Sequence, residues 1–189
     1  MNADTWNSGL CDSEKRTLLD IAHDTLAWVA DGSEAPFNFG HFTLTDRLKQ
    51  SCGAFVTLRL EGDLCGCVGS LELREPLYRS VHENTTKSAT EDSRFSPLGS
   101  YQLESLDVHI SILGPRTAIE NIQLFHPGRH GILMISRQRR ALFLPEVAGE
   151  HGWTREETVR HLCRKAGLPL DVWKREATFE LFTTDAFGD

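Results

Sequence analysis

The sequence predicts an α+β protein with a mainly antiparallel sheet flanked by about three helices. Segments of alternating apolar residues occur in pairs around short polar turns, which is the pattern of β-hairpins. About three segments carry apolar residues at the three- and four-residue spacing of an amphipathic helix. No glycine-rich phosphate loop follows a predicted strand, which argues against a doubly wound α/β fold.

The N-terminal half of the chain predicts two helices with a hairpin between them. Leu18, Ile21 and Leu26 recur at helical spacing, and Asp31 with Gly32 ends that helix. Alternation on both sides of a Glu-Gly-Asp turn indicates the hairpin. We predict a helix over 13–30, a helical turn over 45–50, strands over 54–60 and 64–71, and a helix from Pro76 to about residue 92.

The C-terminal half predicts a single strand, a second hairpin, one helix and a last strand. The arginine-rich stretch 137–140 is the expected polar tip of this hairpin. Thr154 and Glu157 have the spacing of a capping box at a helix N-terminus. We predict strands over 107–113, 131–136, 141–144 and 177–182, and a helix from Thr154 to about residue 166.

Composition and charge narrow the class of protein. The 189 residues are 40% hydrophobic and 25% charged, as in soluble globular proteins. The formal net charge of −7 argues against a nucleic-acid binder, whose surface is usually basic. No segment reaches the roughly 20 apolar residues of a membrane span, and the N-terminus lacks the features of a secretory signal. We therefore expect a cytoplasmic protein whose five cysteines are thiols.

The sequence Cys65-Gly66-Cys67 lies on the second arm of the first hairpin and has several interpretations. Residues two apart on a strand share a face, so the two thiols could bind one soft metal ion. A structural zinc site usually has a second pair of ligands, and a redox pair is usually Cys-x-x-Cys, so we expect no metal site. The residues alone favour two small buried side chains, with Gly66 allowing another backbone to approach.

Three further residues have side chains suited to catalysis or binding, each with a structural alternative. Arg94 could hold a carboxylate or phosphate, or it could pair with Asp92 at a helix end. His130 could act as a general base, although such loop histidines are more often solvated or bonded to a carbonyl. Glu146 follows a strand-ending proline at a sheet edge, where an exposed glutamate is the commoner explanation. The arginine-rich tip is most simply a soluble hairpin end, so nucleic acid is not the expected partner.

Several short stretches match, in order, the motifs of a known family. They are CGAFVTL at 52–58, GCVG at 66–69, DSRFSPL at 92–98, HGI at 130–132, LPEV at 144–147, and KAGL at 165–168 in the helix after Trp153. With these stretches the chain resembles the AMMECR-domain family, the A component of the AmmeMemoRadiSam three-gene system, from about residue 13 to 187.

The resemblance implies an N-terminal tail over 1–12 and a single domain over 13–189, made of two interleaved lobes with a cleft between them. It implies as partners a Memo-type protein, which resembles extradiol dioxygenases, and a radical-SAM protein. It implies no settled reaction. Cys67 matches the family cysteine in the pattern Leu-Arg-Gly-Cys-Ile/Val-Gly, but Cys65 stands where the family has arginine. Arg59 or Arg94 could compensate for that lost cation.

Two hypotheses follow for the function. In the first, the protein is an enzyme or enzyme component that acts, without a cofactor, on a small anionic or aromatic metabolite. Its catalytic residues would be Cys67 as nucleophile with His130 or Glu146 as proton carrier, and its substrate-binding residues would be Arg94, Ser93, Gly66 and Gly69. In the second, the protein is a non-catalytic adaptor for the Memo-type and radical-SAM partners, and the same motifs keep a groove in shape.

Overall fold

The computed structural model describes residues 6–103 and 105–189. Its helices are α1 (Asp12–Ala30), α2 (Leu77–Thr90), α3 (Ser100–Leu103), α4 (Pro145–Glu150) and α5 (Arg155–Lys165). Its strands are β1 (Ala54–Leu60), β2 (Asp63–Ser70), β3 (Leu106–Leu113), β4 (Thr117–Ile119), β5 (Gly131–Ser136), β6 (Arg139–Phe143), β7 (Ala177–Phe182) and β8 (Thr184–Gly188). The strands form two antiparallel sheets of four strands, so the predicted α+β class is confirmed. Within the described part of the chain, no helix has the length and apolar character needed to cross a membrane.

The described chain divides into two compact units, each with its own sheet. The first unit consists of Ser8–Leu113 and Asp185–Asp189, and the strand order of its sheet is β2-β1-β3-β8. The second unit contains Gly114–Thr184 together with Trp6 and Asn7, and the strand order of its sheet is β4-β7-β5-β6.

Strand β1 is central in the first unit because it pairs with both β2 and β3. Its alternating residues Ala54, Val56 and Leu58 are fully buried, as the two-residue period predicts. Helix α2 packs against β1, β2 and α1, and it buries Leu77 and Val81 on the predicted face. The sheet and the two long helices therefore share one core.

The turn between β1 and β2 follows from the conformations of two residues. Leu60 pairs with Asp63, which leaves Glu61 and Gly62 as a two-residue loop. Both loop residues have positive φ, 52° and 87°. This pattern is that of a type I′ turn, whose twist matches the twist of the flanking strands. The predicted hairpin is thus confirmed, with a turn one residue shorter than expected.

The second unit contains the other predicted hairpin and the predicted capping box. Strands β5 and β6 pair up to Ser136 and Arg139, so the polar tip is shorter than the predicted stretch 137–140. The Thr154 Oγ1 atom accepts the N–H of Glu157, and Glu157 Oε2 accepts the N–H of Thr154 over 2.8 Å. Helix α5 therefore begins where the sequence predicts it.

Four elements differ from the sequence prediction. The short helix α3 and the short strands β4 and β8 lie in segments that the sequence leaves without structure. We expected Pro145 to end a strand and Glu146 to lie at a sheet edge; β6 does end before Pro145, at Phe143, but Glu146 lies in a helix. Pro145 is the first residue of α4, where proline is favoured because its missing N–H has no helical partner.

Candidate functional site

The half-buried Cys67 lies on β2 directly opposite Thr57 of β1. The backbone N–H and C=O of Cys67 point away from β1, so this is a pair without mutual backbone hydrogen bonds. Side chains in such pairs approach each other closely. The Thr57 hydroxyl donates a hydrogen bond to Cys67 Sγ, with a distance of 3.2 Å between the heavy atoms.

The outer edge of β2 is covered by the turn that follows α2. The Cys67 N–H donates to Asp92 Oδ2 over 2.9 Å, and Arg94 Nη2 donates to the Cys67 carbonyl over 3.3 Å. An edge strand otherwise exposes such groups to water or to other chains. Asp92 and Arg94 therefore bond the backbone N–H and C=O of Cys67, which a neighbouring strand would otherwise pair with.

Asp92 and Arg94 form a two-point ion pair. Arg94 Nε donates to Asp92 Oδ1 over 3.0 Å, and Nη2 donates to Oδ2 over 2.7 Å. The Asp92 side chain is 7% exposed and that of Arg94 is 52% exposed. The hydrogen bonds from Arg94 and from the Cys67 amide outweigh burial and lower the pKa of Asp92 to about 2. Asp92 is therefore ionised at neutral pH and fixes the direction of the guanidinium.

The Arg94 guanidinium also interacts with the Cys67 side chain. The hydrogen bond to Asp92 raises the pKa of Arg94 above its usual range, and a side-chain hydrogen bond with Cys67 acts in the same direction. The guanidinium lies 5.1 Å from the centre of the Phe95 ring, a distance typical of cation–π contacts. The Thr57 hydroxyl thus bonds the thiol while the Arg94 guanidinium is held beside it on the Cys67 carbonyl, and cationic or hydrogen-bonding neighbours favour a thiolate.

The two glycines predicted to bind substrate are placed where side chains would collide with neighbours. A Cβ atom on Gly66 would lie 2.1 Å from the Ser88 carbonyl oxygen on α2. A Cβ atom on Gly69 would lie 2.2 Å from the Phe55 ring. Close packing alone accounts for both glycines. Ser93, the other predicted contact, is exposed on the turn beside Arg94.

Cys65 is separated from Cys67 by an irregularity in the strand pairing. Leu58 pairs with Gly66 and Arg59 pairs with Leu64, so Cys65 is the extra residue of a bulge. The expected two-residue alternation is therefore interrupted at Cys65. Its Sγ donates to the Leu58 carbonyl over 3.2 Å, and burial raises the pKa of this thiol although Arg59 opposes the change.

His130 and Glu146 belong to the second unit, whereas Cys67 and the predicted substrate-binding residues belong to the first. The side chain of His130 is buried next to the start of β5, and its Nδ1 accepts the N–H of His126 over 3.2 Å. A ring nitrogen that accepts a hydrogen bond carries no proton. Glu146 lies in the first turn of α4 and is half-buried. The role of either residue as proton carrier stays a prediction.

Two residues of this site were not predicted. Asp92 was considered only as a possible partner of Arg94, and Thr57 only as a strand residue. The position of Asp92 could have indicated its role, since Asp side chains commonly accept a hydrogen bond from the backbone N–H two residues later in the chain. The Asp92 Oδ1 atom does accept the Arg94 N–H over 3.2 Å. The signal for Thr57 is the predicted hairpin itself, since a turn over 61–63 places Thr57 opposite Cys67, which is the pairing in the structure.

Among residues 6–103 and 105–189, no group of three or more His, Cys, Asp or Glu side chains is arranged to hold a metal ion.

The chain resembles a set of archaeal and bacterial proteins. A protein of Methanothermobacter thermautotrophicus is 38% identical over 173 residues, which cover 87% of this chain and 88% of the relative. Protein MJ0810 of Methanocaldococcus jannaschii is 39% identical over 135 residues, which cover 66% of each chain.

The chain is also similar to a solved structure and to a family model. The crystal structure of the uncharacterized protein PH0010 from Pyrococcus horikoshii matches with a TM-score of 0.81 and 28% identity, covering 91% of this chain and 89% of that one. The AMMECR1 family model matches residues 19–187, which include Thr57, Cys67, Asp92 and Arg94. The chain therefore belongs to the AMMECR1 family.

Proposed function

We propose that this AMMECR1-family protein is a cytoplasmic enzyme, or a component of one, that attacks a small anionic or aromatic metabolite with the Cys67 thiolate. The observation that carries the proposal is the pair of donors at Cys67, the Thr57 hydroxyl at 3.2 Å from Sγ and the Arg94 guanidinium, whose Nη2 donates to the Cys67 carbonyl over 3.3 Å. A thiolate is the nucleophilic form of cysteine, and neighbouring cations increase its population.

Arg94 also supports an anionic substrate. Its side chain is half exposed, while Asp92 holds it in one orientation through two hydrogen bonds. A guanidinium held in this way can present its remaining N–H groups to a carboxylate or phosphate. The adjacent Phe95 ring offers an apolar surface to an aromatic substrate.

The proposal predicts that Cys67 is alkylated by iodoacetamide at a lower pH than an ordinary thiol. Burial raises the pKa of Cys52, Cys65 and Cys163, so these thiols need a higher pH to react. Cys11 is exposed and is removed by Cys11→Ser, which keeps a small polar residue at the start of α1. In this background, we expect Cys67 to react first, with a midpoint clearly below about pH 8.5.

The matched variants are Arg94→Gln and Cys67→Ala. Arg94→Gln removes the cation, so the midpoint should move up toward about pH 8.5, the value of a free thiol. Cys67→Ala should abolish the low-pH reaction. If Cys67 already titrates as an ordinary thiol in the Cys11→Ser protein, the nucleophile role is refuted.

A second function, the non-catalytic adaptor, is supported by the packing roles of the glycines. Gly66 and Gly69 are explained by their close neighbours, and Arg94 is explained by its ion pair with Asp92. In this function the protein binds Memo-type and radical-SAM proteins, and Cys67 only fills space. Full affinity of Cys67→Ala for such partners, together with an ordinary thiol titration, favours the adaptor over the enzyme.

A further inference from the structure

The second unit contains a small cavity beside the first turn of α5. Its volume is about 330 Å³, which is at the lower end of the roughly 300–1,000 Å³ range of small-molecule pockets. The cavity is lined by Ile122, Gln123, Thr154, Arg155, Glu156 and Trp173. The residues around Cys67 belong to the other unit, so a ligand bound here is additional to the substrate of the proposed function.

Arg155 brings a positive charge to this cavity in a restrained position. Its Nε donates to the Phe125 carbonyl, and its Nη1 lies 3.5 Å from Gln123 Oε1. Its other guanidinium N–H groups donate to no residue in the described part of the chain. Arg155 is half-buried and has no carboxylate partner among the same residues, which suits a guanidinium that binds the carboxylate of a ligand.

Glu156 brings a negative charge to the same cavity, and Arg155 does not neutralise it. Side chains of neighbouring helical residues do not face each other, and Glu156 forms no ion pair with any described residue. The next acidic residue, Glu157, is bonded to the N–H and hydroxyl of Thr154 instead. The cavity therefore presents one available cation and one available anion, and its own net charge is zero.

Ile122 and Trp173 give the cavity an apolar wall. Both side chains are half-buried and pack against the core of the second unit, so the wall is part of the fold. An aliphatic or aromatic group gains free energy when it is buried on such a surface. The size, the two opposite charges and the apolar wall together match a small molecule with a carboxylate, an ammonium group and an apolar side chain.

We propose that this cavity binds a free α-amino acid with an apolar side chain. Arg155 donates to the α-carboxylate, and Glu156 accepts hydrogen bonds from the α-ammonium group. The side chain of the ligand packs against Ile122 and Trp173. A phosphate group fits this cavity less well, because it carries no cation and is repelled by Glu156.

Isothermal titration calorimetry of the whole chain tests this site with L-leucine and L-phenylalanine as probes. We expect at least one of them to bind with a dissociation constant of about 1 mM or lower, as metabolites commonly do. Each probe is compared with its deaminated acid and its decarboxylated amine, which lack one of the two charges. Each analogue should bind at least about tenfold more weakly, because it loses the hydrogen bonds to one charged group. Failure of both probes to bind, or an analogue that binds as tightly as its amino acid, overturns the proposal.

Two variants assign the charges to their residues, and urea unfolding checks that both fold. Glu156→Gln keeps the size of an exposed side chain, so it should weaken the amino acid about tenfold without weakening the deaminated acid. Arg155→Gln should weaken the amino acid by a similar factor, whereas Arg160→Gln, exposed on the same helix, is the matched control and should leave binding unchanged. Wild-type affinity in Glu156→Gln, or an equal loss of both ligands, overturns the proposal, because the carboxylate would then not bind the ammonium group.

Discussion

Asp92 connects the chemistry of Cys67 to the stability of the fold at the scale of one residue. Its carboxylate accepts the Cys67 amide and two side-chain donors of Arg94 while nearly excluded from water. A charge in this position is costly to bury unless it is fully bonded, and here the bonds outweigh the cost. The same bonds hold the arginine beside the thiol. Stability and reactivity therefore depend on one carboxylate.

This arrangement predicts how Asp92→Asn depends on pH. The pKa of Asp92 falls from the usual 3.8 to about 2 on folding, so the unfolded chain binds the proton first as pH decreases. The stabilisation is complete above about pH 5 and is lost as the pH falls toward about 2. At pH 7 we expect Asp92→Asn to lower the free energy of unfolding by roughly 1–3 kcal/mol.

Urea unfolding of the wild type and of Asp92→Asn at pH 7, 4 and 3 checks this prediction. The difference in free energy of unfolding should shrink steadily toward pH 3, because only the wild type titrates at this position. Ser93→Ala, in the same turn but exposed, is the control and should change little. A difference that is constant from pH 7 to pH 3 contradicts the assignment of the low pKa.

At the level of residues, the sequence suggested Cys67 and Arg94 as candidates but not the contacts between them. Residue types and motifs suggest which side chains can do chemistry. The predicted three-residue turn already places Thr57 opposite Cys67, because the shorter turn of the structure and the bulge at Cys65 offset each other beyond the bulge. The hydrogen bond between the two side chains depends on their rotamers, and periodicity carries no information about these.

At the scale of elements, the long helices and the central strands were predictable because their local signals are strong. Strands β1, β5 and β7 have the predicted bounds, since each is a run of apolar or β-branched residues between clear turns. The strands β4 and β8 were not predicted. Each is a short edge strand with mostly polar or exposed residues, and its formation depends on a partner strand far away in the sequence.

The start of α5 is an element whose stability should depend on one local motif. Thr154 and Glu157 satisfy each other's amides, which otherwise lack partners at a helix N-terminus. Thr154→Ala should lower the free energy of unfolding by about 1 kcal/mol, and Thr154→Ser should restore most of it. Chemical denaturation of the three proteins is the measurement. Equal stability of Thr154→Ala and wild type would mean that water replaces the cap at no cost.

At the scale of the whole molecule, the chain leaves the first unit after β3 and returns to it only with β8. The last strand lies next to β3 in the sheet. The N–H of Val108 donates to Asp189 Oδ2 over 3.0 Å, and the N–H of Asp189 donates to the Val108 carbonyl over 3.3 Å. Contacts between such distant segments have no local sequence pattern, so this closure of the first unit could not be predicted from periodicity.

We expect the side chain of Asp185 to help hold β8 in the first unit. Its carboxylate accepts Lys15 Nζ of α1 over 2.7 Å, and it also accepts the amide and hydroxyl of Ser8. The Asp185 side chain is 11% exposed, so its removal leaves partly buried donors without an acceptor. Asp185→Ala should therefore lower the free energy of unfolding by roughly 1.5–3 kcal/mol.

The loss should also be visible as local opening of the returning strand. Hydrogen exchange of β8 amides should become faster in Asp185→Ala, because the strand loses its side-chain link to α1. Ala186→Ser, the exposed neighbour on the same strand, is the matched control and should leave exchange and stability nearly unchanged. Unchanged exchange in Asp185→Ala would show instead that backbone pairing with β3 is sufficient to hold the last strand in place. The discontinuous first unit would then be closed by its sheet alone.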